Sequence, residues 1–191
     1  GKLKDNPFRE AVDGLGAAAG CLLSLLYVPK VDRWVFGEPS SALQMAASLC
    51  SPWTEVRTLY SSALLKLPSN KGNSLYQASR AATYLALSPN PPVRPGGRLI
   101  LEAEMSEGLG HEQGFVSALN GSAPPWSELL IDKAPQGAGA QRAVMLALMA
   151  QKYKLEIASC HDPSIFKAIG ISARSQKWIP DKDCLIVSDP F

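Results

Sequence analysis

PGGRLILEAEMSEGLGHEQG (Pro95–Gly114) places a glycine turn before an apolar run, then sets glutamates and a histidine among spaced glycines. Leu99 and Leu101 alternate with Ile100 and Glu102, the two-residue period of a strand. A carboxylate inside a buried strand is costly unless partnered. Glu102 and Glu104 are therefore expected at or beyond the strand's end, with EGLGHE forming the turn that follows. Three readings of this turn compete: a phosphate cradle, half of a metal site, or a plain strand-to-helix connection. The glycines match neither G-x-G-x-x-G nor a P-loop. His111 with Glu107 and Glu112 gives too few ligands to argue for a metal. The connection is left as the best reading of the local chemistry.

Working outward, apolar runs and helical periods alternate along most of the chain. Asn6 before Pro7 reads as a helix N-cap, with Phe8, Val12 and Leu15 at helical spacing. CLLSLLYV and RWVFGEP read as two strands joined through Lys30–Asp32, a hairpin and hence a mixed edge. PSSALQMAASLC follows as a helix capped by Ser40 or Ser41 and closed by Pro52. VRTLY suggests a short strand, SALLKLP another, and SLYQASRAATYLALS a helix. PNPPVRPGG reads as a rigid connection into RLILEAEM. EQGFVSALN and PWSELLID suggest short helices, and GAQRAVMLALMAQKY a longer one with Val144, Leu148 and Gln151 one turn apart. Strand LEIAS, helix PSIFKAIG and strand CLIVS complete the pattern.

Such alternation implies βαβ crossovers. The expectation is one α/β domain over residues 1–191, three-layered, with a mostly parallel sheet flanked by helices and an antiparallel hairpin near the N-terminus.

Bulk properties narrow the function. With 46% hydrophobic and 19% charged residues, the chain is expected to pack a core rather than stay disordered. A net charge of +2 argues for neither nucleic acid nor an anionic membrane as partner. No apolar stretch reaches the roughly 18 residues of a membrane span. GKLKDNPFRE lacks the apolar core of a signal peptide, which makes the cytoplasm the expected location. The cysteines (Cys21, Cys50, Cys160, Cys184) show no C-x-x-C spacing and are expected to be buried free thiols.

In an open α/β sheet, ligands gather beyond the carboxyl ends of the strands. SNKGNSLYQASR, EGLGHE and SCHDPS all fall there. A helix starting near Asn73 places Tyr76 and Arg80 one turn apart, with Gln77 on the adjoining face. A phenol, an amide and a guanidinium near a helix N-terminus suit a carboxylate or phosphate. The same residues also suit an ordinary surface helix with a solvated arginine. Asp162 before Pro163 reads as an N-cap. With His111 and His161 the only histidines and no G-x-S-x-G elbow, a hydrolase triad is not supported.

NPFREAVDGLG, WVFGEPSSALQMAASL, NSLYQASRAA and PGGRLILEAEMSEGLGHEQGF follow in an order and spacing that resembles the lactate racemase family, enzymes that use a nickel-pincer nucleotide. The resemblance covers roughly residues 5–170 and is to the family's C-terminal domain. It implies a fragment of a two-domain enzyme with substrate and cofactor in the cleft between domains. The catalytic bases, the cofactor anchor and the nickel-binding histidine would belong to an N-terminal catalytic domain, the implied partner. No catalytic residue, metal ligand or cofactor is then expected in this chain, and alone it is expected to be inactive.

By the same resemblance, Tyr76 and Gln77 match a substrate-binding Tyr-Gln pair, and Arg80 stands where the family has lysine. Glu104, Glu107 and His111 would line or support the cleft wall. The implied reaction is racemisation or epimerisation of a 2-hydroxy acid, by hydride transfer to the cofactor and back. Two other readings stand beside it: a Rossmann-type methyltransferase or nucleotide-binding enzyme, and a non-catalytic interaction domain.

Overall fold

Asn6 does at the first helix what its side chain predicts. Its carboxamide oxygen accepts the Arg9 N–H at 3.3 Å, and Pro7 opens helix α1 (Pro7–Ala18). The computed structural model describes residues 5–51, 56, 58–122, 124, 126–130, 135–188 and 190. They fall into two compact units, Gly1–Arg57 and Thr58–Phe191.

In the first unit, α1 is followed by β1 (Ser24–Val28) and β2 (Arg33–Gly37), antiparallel with Leu25 opposite Phe36 and Tyr27 opposite Trp34. A single 3-10 turn, Pro29–Val31, joins them, with Asp32 in the left-handed region at φ 50°. Because side chains alternate across a strand, Val28 and Val35 face a small core with Ala42 of α2 (Pro39–Cys50). The intervening Leu25, Tyr27, Trp34 and Phe36 are exposed, as are Phe8, Val12 and Leu15 of α1. The hairpin is a separate two-stranded sheet rather than the edge of a larger one.

The cap of α2 also differs from expectation. Glu38, not Ser40 or Ser41, accepts the Ser40 and Ser41 N–H groups at 2.9 and 2.8 Å. A carboxylate just before Pro39 reaches two of the orphan donors at once, and these bonds hold its carboxyl below the usual range. Pro52 lies outside the described residues. So does Arg57 of VRTLY; Thr58 and Leu59 precede a strand rather than forming one.

The second unit is built on β3 (Tyr60–Lys66), α3 (Leu75–Ala86), β4 (Val93–Glu102), α4 (Gln113–Asn120), α5 (Ala140–Ala150), β5 (Lys154–Ala158), α6 (Pro163–Ala168), β6 (Ser172–Ala173) and β7 (Cys184–Ser188). All five strands are parallel, in the order β6-β5-β4-β3-β7. The fold is therefore α/β: a parallel five-stranded sheet flanked by helices, plus the two-stranded antiparallel sheet.

Steps from β3 to β4 to β5 to β6 all run the same way across the sheet, so right-handed crossovers place their helices on one face. Ala63, Leu65, Leu99, Leu101 and Ile157 face that side and join Ala78, Ala82, Phe115, Leu146 and Met149 in the main core. Leu64, Ile100 and Ala158 point the other way and are covered by Trp178 from the segment returning to β7. Trp178 lies beneath the guanidinium groups of Arg98 and Arg174, 5.0 and 4.3 Å from its ring, and its backbone N–H donates to the Glu102 carboxylate.

The helix read in GAQRAVMLALMAQKY stands as α5, and three other local readings need amending. PNPPVRPGG is not wholly a connection: β4 already begins at Val93, and its register against β3 shifts between Tyr60 and Ser62. The extra residues form a bulge in which Gly97 approaches the Ser61 carbonyl so closely that a Cβ would sit 2.6 Å from it. PWSELLID gives only a 3-10 turn at Ser127–Leu130, its last two residues lying outside the described ones. The stripe Val144, Leu148, Gln151 is the outer face of α5; Ala140, Ala143, Leu146, Ala147 and Met149 are buried. The cysteines are free, but of the four only Cys160 is buried and Cys21 is exposed. Among the described residues no helix is long and apolar enough to cross a membrane.

Candidate functional site

Beyond the carboxyl ends of β3, β4 and β5, backbone hydrogen bonds lace the following loops together. Met105 N–H bonds the Gly72 carbonyl at 2.9 Å and Glu107 N–H the Asn73 carbonyl at 2.8 Å. Leu75 and Tyr76 N–H groups bond the Gly108 and Leu109 carbonyls, and His161 N–H bonds that of Glu104 at 2.7 Å. The first turn of α3 is thus spent on the neighbouring loop, and Gln77 N–H is taken by the cap residue Ser74. Any anion held at this helix must be held by side chains, not by its free N–H groups.

The side chains along the first turns of α3 include Tyr76, Gln77 and Arg80. Tyr76 is 9% exposed, its ring edge-on to Phe115 at 5.4 Å. Two glycines make room for it: a Cβ on Gly110 would lie 3.1 Å from the Tyr76 Cβ, and one on Gly139 2.9 Å from its Cε2. Arg80 folds back one turn so that its Cζ stands 5.7 Å from the Tyr76 ring centroid, a cation–π contact. Its Nε is buried without a hydrogen-bond partner. Gln77 adjoins them, half-buried. The fold brings Tyr76 and Arg80 into contact as expected from their one-turn spacing.

Of the expected wall residues, His111 and Glu104 line different cavities. His111 is exposed on one of about 540 Å³, with Glu112, Ser117 and Gln136. Its Nε2 lies 3.7 Å from Glu107, whose carboxylate also accepts the Asn73 amide at 2.9 Å. Glu104 instead lines a cavity of about 220 Å³ with Ser69, Asn73, Ser159 and Lys177. Met105 and Ser159, one on each loop beside it, are left-handed at φ 48° and 61°, unusual for residues with a Cβ. Asp162 caps α6, taking Ser164 N–H and Oγ–H at 2.9 and 2.6 Å, bonds that hold its carboxyl low. Burial pushes the neighbouring Cys160 thiol up, away from the reactive thiolate. Among the described residues no three His, Cys, Asp or Glu side chains gather as a metal site.

No protein-family model matches the sequence, and no curated protein does. Solved structures do match. The lactate racemase apoprotein from Thermoanaerobacterium thermosaccharolyticum superposes with a TM-score of 0.68 at 16% identity, over 98% of this chain and 48% of that one. In fold, the chain resembles about half of a lactate racemase. A Thermotoga maritima protein superposes with a TM-score of 0.60 at 10% identity, over 96% of this chain and 52% of its own. At these identities the likeness to the lactate racemase is one of fold.

One side chain that sequence reading passed over belongs in this setting. Arg142 of α5 places its Nη1 3.5 Å from the Thr83 hydroxyl of α3, and its own Nε is buried without a partner. It lies far from Thr83 in sequence, and only the packing of α5 on α3 brings it near.

Proposed function

We propose that this chain is the substrate-holding, cleft-forming C-terminal domain of a lactate racemase-like enzyme that racemises or epimerises a 2-hydroxy acid. The observation that carries this reading is the cluster of Tyr76, Gln77 and Arg80, whose polar tips make no hydrogen bond to other described residues, in a chain with this fold. Arg80 offers a planar fork matched to a carboxylate. The Tyr76 hydroxyl and Gln77 amide supply further donors that fix how the acid lies. In this reading an N-terminal catalytic domain covers the groove and supplies the proton-transfer groups. A nickel-pincer nucleotide held by that domain would supply the hydride-transfer chemistry, and no step on it is assigned to the residues of this chain.

Titration calorimetry of the chain with 2-hydroxypropanoate tests the assignment. Binding that weakens about tenfold or more in Arg80→Ala supports it, the loss expected of a charge-assisted pair. Unchanged binding in that variant removes Arg80 from the site. Micromolar binding of S-adenosylmethionine replaces the reading with a methyltransferase. The exposed apolar face of Leu25, Tyr27, Trp34 and Phe36 favours a second reading, a non-catalytic docking module. That reading predicts no affinity for either ligand.

A further inference from the structure

The cavity of about 220 Å³ is separate from the Tyr76 cluster, since Tyr76, Gln77 and Arg80 do not line it. It lies beyond the carboxyl ends of three adjacent parallel strands. Leu67 follows β3, Glu102 closes β4 and Ser159 follows β5, and all three line it. Ligands of open parallel sheets gather at that end. The segment returning to β7 adds Lys177. The lining is closely packed rather than loose: a Cβ on Gly72 would sit 2.8 Å from that of Ala103 and 3.3 Å from that of Leu67.

Several groups around this cavity are left incomplete. Asn73 donates its amide to Glu107, yet its Oδ1 is buried without a partner, as is the Ser159 Oγ. Ser159 also holds a left-handed backbone at φ 61°. Unmade buried polar atoms and strained residues are both unfavourable, and both collect at functional sites. The charges say what kind of ligand would complete them. Glu104 and Lys177 line the same cavity, but neither side chain is ion-paired or hydrogen-bonded among the described residues. Glu102 gives one carboxylate oxygen to the Trp178 backbone N–H and keeps the other. Asn73 Oδ1 can only accept, which favours a ligand bearing N–H donors over a simple anion. At roughly 30 Å³ per water, the cavity has room for about seven waters, enough for a molecule of about six heavy atoms.

We infer that this cavity is a second ligand site, built for a small zwitterion of the amino acid class. Glu104, with the spare oxygen of Glu102, takes the ammonium group, and Lys177 takes the carboxylate. The inference is independent of the function proposed above.

The full chain is titrated calorimetrically with 2-aminopropanoate and with propylamine, as wild type and as Glu104→Gln, Lys177→Gln and Lys177→Arg. Both side chains are exposed, and circular dichroism checks that each variant keeps the fold. Expected is zwitterion binding tighter than that of the amine by roughly tenfold or more. Glu104→Gln and Lys177→Gln each weaken it by a similar factor, Lys177→Arg retains most of it, and excess 2-hydroxypropanoate leaves it unchanged. Propylamine binding as tightly as the zwitterion overturns the inference in favour of a cation site. Displacement by 2-hydroxypropanoate overturns it by moving the zwitterion to the Tyr76 cluster. Affinity that survives both glutamine variants, or no binding heat at millimolar 2-aminopropanoate, overturns it outright.

Discussion

Tyr76 is held by what its neighbours lack. Gly139 combines a left-handed backbone, φ 80°, with a Cβ direction that runs into Glu112 and Tyr76 at 2.8 and 2.9 Å. Gly139→Ala therefore suffers both strain and collision, and is expected to lose about 1–3 kcal/mol of stability in urea unfolding. Because the collision falls on the Tyr76 ring, hydroxyacid affinity drops as well. Unchanged affinity would show that the tyrosine's position is not critical. At this scale the sequence was informative where the residues concerned were neighbours along one helix. The one-turn spacing of Tyr76 and Arg80 anticipates their cation–π contact, while a role for them in holding substrate comes only from the resemblance. Gly139 and Arg142 give no such signal, because their meaning depends on α5 lying against α3, a contact between segments some 60 residues apart.

Helix caps connect the site to the elements. Ser74, 2% exposed, caps α3 through the Gln77 N–H, so Ser74→Ala should destabilise the chain by about 1 kcal/mol and loosen the turn that carries Tyr76. Thermal melts with and without hydroxyacid report both effects. Asp162 acts at α6 through a carboxyl held low by Ser164. With its folded value depressed, its stabilisation is present above the ordinary carboxylate range and lost as pH falls through that folded value. Asp162→Asn should therefore lower the melting temperature at neutral pH and match wild type once the pH is below both values. A deficit of equal size at both extremes would exclude the carboxylate as the cause. Element identity followed closely from the sequence because apolar period and cap chemistry agreed. It failed where a tertiary partner decided the outcome. Two-residue β6 exists only through its pairing with β5, and the bulged start of β4 only through its approach to β3. The buried side of α5 mixes Ala140, Ala143 and Ala147 with Leu146 and Met149, and the small alanines conceal part of that packing face.

At the scale of the whole molecule, the two units differ in how they are held. The unit of residues 58–191 buries β3 and β4 on both faces, with Leu64 and Leu65 packed on opposite sides of one strand. Among the described residues, the unit of residues 1–57 fully buries only Val28, Val35 and Ala42 in its core, with Leu26, Val31, Ala46, Leu49 and Cys50 partly buried around them, and α1 contributes no buried residue. Hydrophobic burial is the main favourable term in folding, and a two-stranded sheet is marginal without a substantial apolar face covered. Hydrogen exchange should reflect this difference. Amides of Ala63–Leu65 and Leu99–Leu101 are expected to exchange only with global unfolding, and those of β1 and β2 by local opening at much lower free energy. In the proposed enzyme, a partner domain laid over Leu25, Tyr27, Trp34 and Phe36 would supply the missing burial and slow exchange in β1 and β2. If β1 and β2 amides in the free chain are already protected as strongly as those of β3 and β4, that face is stable uncovered, and its apolar character no longer argues for a partner.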